Sequence, residues 1–211
     1  VLSPYQADKF KEGKDWIDAS WGNIDPARSY RYNIKSAPGK FIDLFFYDGA
    51  ISKSVAFDEL LKDGNKFVKR LKEGVSDCRN YPQLVNIATD GESYGHHTKF
   101  GDMALAYVLK IRAKDEGFTI TNYAEYLEKY RSDCEVDIKQ ASSWSCFHGV
   151  GRWKEDCGCS TGGHPGWNQK WRKPLRDALD YLRDELIPIF EKEGSRLFNK
   201  DVWQVRNNYI N

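Results

Sequence analysis

The stretch from Ile87 to His97 reads Ile-Ala-Thr-Asp-Gly-Glu-Ser-Tyr-Gly-His-His. An apolar run before it (Leu84, Val85, Ile87, Ala88) predicts a buried strand that delivers Asp90 and Glu92 into a glycine-bracketed loop. Strand ends that carry acids, glycines and imidazoles are where α/β enzymes present catalytic groups. On an extended backbone, residues two apart point the same way. A carboxylate pair suits glycosidic bond cleavage, in which one acid protonates the leaving oxygen and a second carboxylate is nucleophile or base. Asp90 is the better acid/base, because a carboxyl at a buried strand mouth holds its proton more tightly than one in water. Glu92 would orient substrate hydroxyls or hold Asp90. His96 and His97 would bind hydroxyls or a metal. The competing reading is a solvated turn whose acids cap the next helix.

A second constellation lies downstream. Cys146-Phe147-His148 and Cys157-Gly158-Cys159 make a C-x-H…C-x-C pattern in one segment. Thiolates and imidazole at such spacings suit a tetrahedral zinc ion, so Cys146, His148, Cys157 and Cys159 are candidate ligands. The two-residue gaps of common zinc knuckles are missing, and buried free thiols beside a structural histidine are the plain alternative. Trp144, Trp153, Trp167 and Trp171 bracket the segment. Helical spacing assigns Trp171 to a core, whereas Trp144, Trp153 and Trp167 are candidate walls of a sugar-binding cleft, with core packing as the other reading.

The composition frames these sites. The 211 residues carry 32 Lys plus Arg against 31 Asp plus Glu, with no basic stripe or acidic tail, which argues against a nucleic-acid partner. Aromatic residues make up 14% of the chain, an excess that serves either a core or the stacking faces of a carbohydrate cleft. No run approaches the length of a membrane span, so no membrane partner is expected. Five cysteines, an odd number, fit a reducing cytoplasm better than a secreted disulfide framework. The opening Val1-Leu2 reads as the end of a strand cut from a longer protein.

The elements that must position the loops follow from periodicity. Residues 3–38 read as a long connection with one short helix. Phe41 to Tyr47 is a strand ending at Asp48-Gly49, followed by a helix with Phe57, Leu60, Leu61, Phe67, Val68 and Leu71 on one face and Gly74 as its stop. A strand over 83–89 leads into the Asp90 loop, and a helix over 102–114 reads as buried nearly all round. A short strand at 118–121, a helix over 123–130 and a strand at 136–138 complete this part. The alternation of strand and helix favours a parallel sheet or part of a barrel, with 41–47 and 83–89 adjacent. From 140 to 168 the chain has no period, and a long amphipathic helix then runs from Trp167 to Gly194, bent near Pro188. A last short helix covers 201–209. The boundary falls at 140, giving residues 1–140 and 141–211 as two regions.

With these residues in view, the chain resembles glycoside hydrolase family 57 proteins, within them the group that carries a C-terminal domain of unknown function. The resemblance rests on Leu2-Ser-Pro-Tyr-Gln-Ala7, Leu44-Phe-Phe-Tyr-Asp-Gly49, Ala88-Thr-Asp-Gly-Glu-Ser-Tyr-Gly-His-His97 and Phe100-Gly-Asp-Met-Ala-Leu-Ala-Tyr107. It continues through Ser142-Ser-Trp-Ser-Cys-Phe-His-Gly149, Asp156-Cys-Gly-Cys-Ser-Thr-Gly-Gly163 and Pro165-Gly-Trp-Asn-Gln169. It implies an α/β fold, the second half of a (β/α)7-type barrel with parallel strands, followed by a mainly helical C-terminal segment. It implies a retaining hydrolase or glucanotransferase acting on α-glucan, with Asp90 as general acid/base and no required cofactor. The nucleophile of such enzymes is a Glu on an earlier strand, so the N-terminal half of the same protein is the expected partner. The rival expectation is a zinc-stabilised module that holds glucan without cutting it.

Overall fold

The computed structural model describes residues 1–159 and 163–209. It divides into two compact units, Val1–Gln140 and Ala141–Asn211.

The first unit is built on five strands: β1 (Ala7–Glu12), β2 (Asp15–Asp18), β3 (Ser29–Asn33), β4 (Phe41–Phe45) and β5 (Cys134–Ile138). Their order across the sheet is β2-β1-β5-β3-β4. β1 and β2 form an antiparallel hairpin turned at Gly13, and β3 and β4 form a second one in the register Ser29 opposite Phe45 through Asn33 opposite Phe41. β5 lies between the hairpins, antiparallel to β1 and parallel to β3.

The fold is thus mixed α/β as expected, but its sheet departs from the expected parallel arrangement. Three of the four described pairings are antiparallel: short turns join β1 to β2 and β3 to β4 where helical crossovers were expected, and β5 returns antiparallel to β1. Residues 3–38, expected as a connection, supply three of the five strands. Their apolar residues are few, but Ala7, Tyr30 and Phe10 land on the sheet core. That core joins Tyr30, Phe46, Leu44, Cys134 and Val136, with the Tyr30 and Phe46 rings edge-on at 5.5 Å. Burying a large apolar side chain of this kind is worth about 1.5–3 kcal/mol. The buried Tyr30 hydroxyl is satisfied by the Asp25 carbonyl at 2.9 Å.

Helices follow β4. Asp48 caps α1 (Gly49–Phe57) by accepting from the Ile51 amide at 2.8 Å, and Asp63 caps α2 (Gly64–Lys72) through the Asn65 and Lys66 amides. The single expected helix is therefore broken in two, by the left-handed backbone of Glu59 and a 3-10 turn at Leu60–Lys62. Phe57, placed on the apolar face by periodicity, ends α1 exposed. Leu61, Phe67, Val68, Val55 and Val108 form a second core, against which Ile87, Tyr94 and Leu105 pack. The expected helix over 102–114 is α3 (Gly101–Tyr107), a π turn at Val108–Arg112 and α4 (Ala113–Asp115). It is buried on one side only, since Met103, Leu109 and Ile111 are exposed. α5 (Tyr123–Lys129) is capped by Asn122, and residues 118–121 form no strand.

Residues 83–89 do not form the expected strand beside β4. Single bonds fasten this segment to three different neighbours: Leu84 N–H to Ala27 O (2.9 Å), Asp48 N–H to Asn86 O (2.8 Å) and Ala88 N–H to Ser52 Oγ (3.1 Å). The buried Asn86 amide also donates to the carbonyls of Pro26 and Phe46. A side chain that satisfies carbonyls this way replaces the sheet ladder.

In the second unit, α6 (Gly151–Lys154) precedes the 26-residue α7 (Arg172–Leu197), and α8 (Val202–Asn207) follows. α7 runs past Gly194, the expected stop, because that glycine is a contact point. A Cβ there would lie 2.6 Å from Val202 Cγ1, so only hydrogen lets α8 approach. Phe190 and Trp203 close the same junction at 4.9 Å. The expected apolar stripe of α7, from Trp171 and Leu175 to Ile189 and Phe190, is exposed along its length.

Candidate functional site

The Asp90 loop is anchored from below. Ile87 and Tyr94 pack on the second core, and Thr89 Oγ1 donates to the Tyr94 hydroxyl at 3.0 Å across the loop. Asp90 occupies the cap position of a 3-10 turn, Gly91–Tyr94. Its main-chain oxygen accepts from the Ser93 amide at 3.1 Å, and that of Glu92 accepts from His96 (3.0 Å) and His97 (2.8 Å). Asp90 itself is extended, but the backbone turns helical from Gly91, so the two-apart rule for a strand does not place both carboxylates on one side. His96 and His97 stack edge-on, 5.0 Å between ring centres.

Asp90, Glu92, His96 and His97 are all exposed. Asp90 was expected at a buried strand mouth, and the missing strand accounts for the difference. The carboxylate makes no capping hydrogen bond, and no described residue pairs with the side chain of Asp90 or Glu92. The capping alternative thus does not describe this loop. An open depression of about 570 Å³ lies further along the chain, lined by Leu61, Lys99, Phe100, Met103 and Tyr107 among others. None of the four site residues lines it.

The cysteine segment converges more tightly. Cys146 Sγ lies 3.5 Å from Cys159 Sγ and 4.0 Å from Cys157 Sγ, and His148 Nδ1 is 3.7 Å from Cys146 Sγ and 3.3 Å from Cys159 Sγ. All four donor atoms fall within 4.8 Å of one another, a set that could hold a metal ion. The turn that brings Cys146 and His148 together depends on Gly149. It has φ +61°, and a Cβ on it would meet the Ala141 carbonyl oxygen at 2.1 Å. Hydrogen bonds from Cys146 and Cys157 push the Cys159 thiol up to about 11, while the Cys159 backbone amide holds the Cys157 thiol below its usual range.

Two residues of this cluster escape a reading of ligand types alone. Gln169, only 4% exposed, donates to the Cys159 carbonyl and sets Oε1 3.6 Å from Cys157 Sγ. Arg172 Nη1 lies 3.9 Å from the same sulfur and 3.3 Å from Gln169 Oε1. A glutamine directly ahead of a helix is the only sequence signal for this role, and a weak one. Trp144 and Trp153 are exposed, at 67% and 51%. Trp171, expected in a core by helical spacing, is exposed as well.

No helix of the described residues is long and apolar enough to cross a membrane. No curated protein and no solved structure matches the chain. Residues 167–211 match a domain of unknown function, DUF3536. The model of glycosyl hydrolase family 57 matches residues 10–139, more than half of the chain, across both hairpins, the central strand and the Asp90 loop. The chain belongs to glycosyl hydrolase family 57.

Proposed function

We propose that this chain contributes the acid/base half of a retaining α-glucan hydrolase or glucanotransferase, with Asp90 as general acid/base. Family membership over 10–139 carries the reading, because the matched region contains the Asp90 loop. Asp90 donates its proton to the leaving glycosidic oxygen, then accepts one from the water or sugar hydroxyl that resolves the intermediate. A carboxylate unused by the fold suits that exchange. Glu92, His96 and His97 bind sugar hydroxyls beside it. Trp144 and Trp153 offer exposed rings for stacking on pyranose faces. The nucleophile is a Glu from the N-terminal half of the same protein, which would complete a (β/α)7-type barrel. In a retaining enzyme it lies about 5–5.5 Å from the acid/base. Five unpaired cysteines support a cytoplasmic location.

A non-catalytic glucan-holding module is the second reading, favoured by the exposure of both Asp90 and Glu92. Asp90→Asn in the complete protein separates the two. Removing a general acid/base lowers turnover by about 10²–10⁴-fold without unfolding the protein. Undiminished turnover in that variant rules Asp90 out, and a folded complete protein that binds α-glucan but cleaves none supports the module.

A further inference from the structure

We infer that Cys146, His148, Cys157 and Cys159 form a closed structural zinc site, and that Gln169 and Arg172 tie it to the head of α7. The inference is independent of the glycosidase reading. A tetrahedral ion with Zn–S near 2.3 Å and Zn–N near 2.0–2.1 Å separates its ligands by about 3.8 Å (S to S) and about 3.6 Å (S to N). Four of the separations, 3.3 to 4.0 Å, bracket both values. The widest separation in the set, 4.8 Å, has to contract by about 1 Å. Three thiolates and an imidazole are soft and borderline donors, which select zinc over magnesium or calcium. Four protein ligands leave no open position, so the ion would be structural and would not activate water.

The surroundings are those of a metal site. Zinc with three thiolates and a neutral imidazole carries one net negative charge, and the Arg172 guanidinium beside Cys157 offsets it. Gln169 is held by its own amide N–H to Asp156 Oδ1 at 3.4 Å and by its side chain to the Cys159 carbonyl, so it fixes the backbone of one ligand. Groups in such positions orient ligands and tune affinity. Arg172 is also the first residue of α7, so the same contacts join the ion to a 26-residue helix. Among the described side chains of Ala141–Asn211, Cys146, Gln169 and Val202 are the buried ones, and two of these belong to the cluster. Of the four ligands themselves, Cys146 is buried, Cys157 and Cys159 are half-buried and His148 is exposed.

The test uses the 211-residue chain, produced in zinc-supplemented medium and purified under reductant. Elemental analysis should give about one zinc per chain. Replacement by Co²⁺ should yield thiolate-to-metal charge-transfer bands and the strong visible absorption of a tetrahedral site. Gln169→Ala and Arg172→Ala should keep that spectrum and weaken zinc binding by about 10–100-fold. The cobalt spectrum is read on the unaltered chain, so the test stands even where Cys→Ser variants do not fold. No retained metal with all five cysteines reduced overturns the inference. So does a disulfide among Cys146, Cys157 and Cys159 in the reduced preparation, iron in place of zinc, or an octahedral cobalt spectrum.

Discussion

The two units solve the same problem with different materials. Val1–Gln140 removes Tyr30, Phe46, Phe67, Ile51, Leu61 and Val136 almost wholly from water, around a five-stranded sheet and a group of short capped helices. Ala141–Asn211 contains a longer helix than any in the first unit, yet the leucines along it stay largely exposed and, among the described residues, its best-buried polar side chain is the Gln169 amide beside the Cys157 sulfur. Helix length is therefore no measure of how well a region is held. A chain of about 70 residues rarely builds enough apolar core on its own, and metal ligation is one of the standard substitutes.

Metal removal is the strongest attempt to break this contrast. Structural zinc contributes about 10–16 kcal/mol in small zinc-dependent folds at neutral pH. A strong chelator should abolish amide protection over 141–159 and the first turns of α7 and leave β1 to β5 unchanged, as read by hydrogen exchange. Equal loss in both units would mean that the first one does not stand on its hydrophobic core.

Substitution compares the two kinds of apolar residue directly. Phe46→Ala should destabilise the first unit by about 3–5 kcal/mol, because a fully buried ring leaves a cavity. Leu182→Ala, at a position 52% exposed, should change stability by no more than about 0.5 kcal/mol. Denaturant titration reads both, and a large cost at Leu182 would reveal a partner covering the α7 stripe.

The smallest expected effect sharpens the account of the first unit. Tyr81 donates its hydroxyl to Asp25, which also holds Arg79 at 2.8 Å and so secures the loop ahead of residue 83. Burial, and then the bond to Asp25, push the Tyr81 phenol up to about 12. A phenol raised in the folded state stabilises it fully below the unfolded value of 10.0, and that contribution fades as pH rises through about 12. Tyr81→Phe should therefore be slightly less stable at neutral pH and should lose less between pH 10 and 12 than the parent chain. Parallel alkaline profiles for the two would detach Tyr81 from the network.

Periodicity located what local rules govern. The strand at 41–47, the helix at 123–130, the strand at 136–138 and the long C-terminal helix are each present, shifted by a few residues at their ends. It failed where long-range contacts decide. β1 and β2 read as loop because Lys9, Lys11, Asp15 and Asp18 outweigh their apolar neighbours, and pairing supplies what propensity lacks. The run 83–89 has strand composition, but Asn86 spends its side chain on two carbonyls and the segment finds no ladder. At the candidate sites, ligand types and spacing were enough to pick out Cys146, His148, Cys157 and Cys159. The roles of Gln169 and Arg172 depend on three-dimensional placement, which no spacing rule encodes.

The position of β5 sets a timetable for synthesis. β1 and β3 each have a neighbour within their own hairpin, but the strand that joins the hairpins begins at Cys134, 101 residues after Asn33 ends β3. At roughly 5–20 residues per second, a ribosome needs about 5–20 s to cover that distance. Throughout that interval the inner edges of β1 and β3 offer open backbone donors and acceptors to any strand that arrives first. Lys9, Lys11 and Arg31 lie on those edges, and their charge discourages an unrelated strand from docking until the acidic Glu135 and Asp137 of β5 arrive, pairing with Lys11 at 2.8 Å and with Lys9 at 3.7 Å.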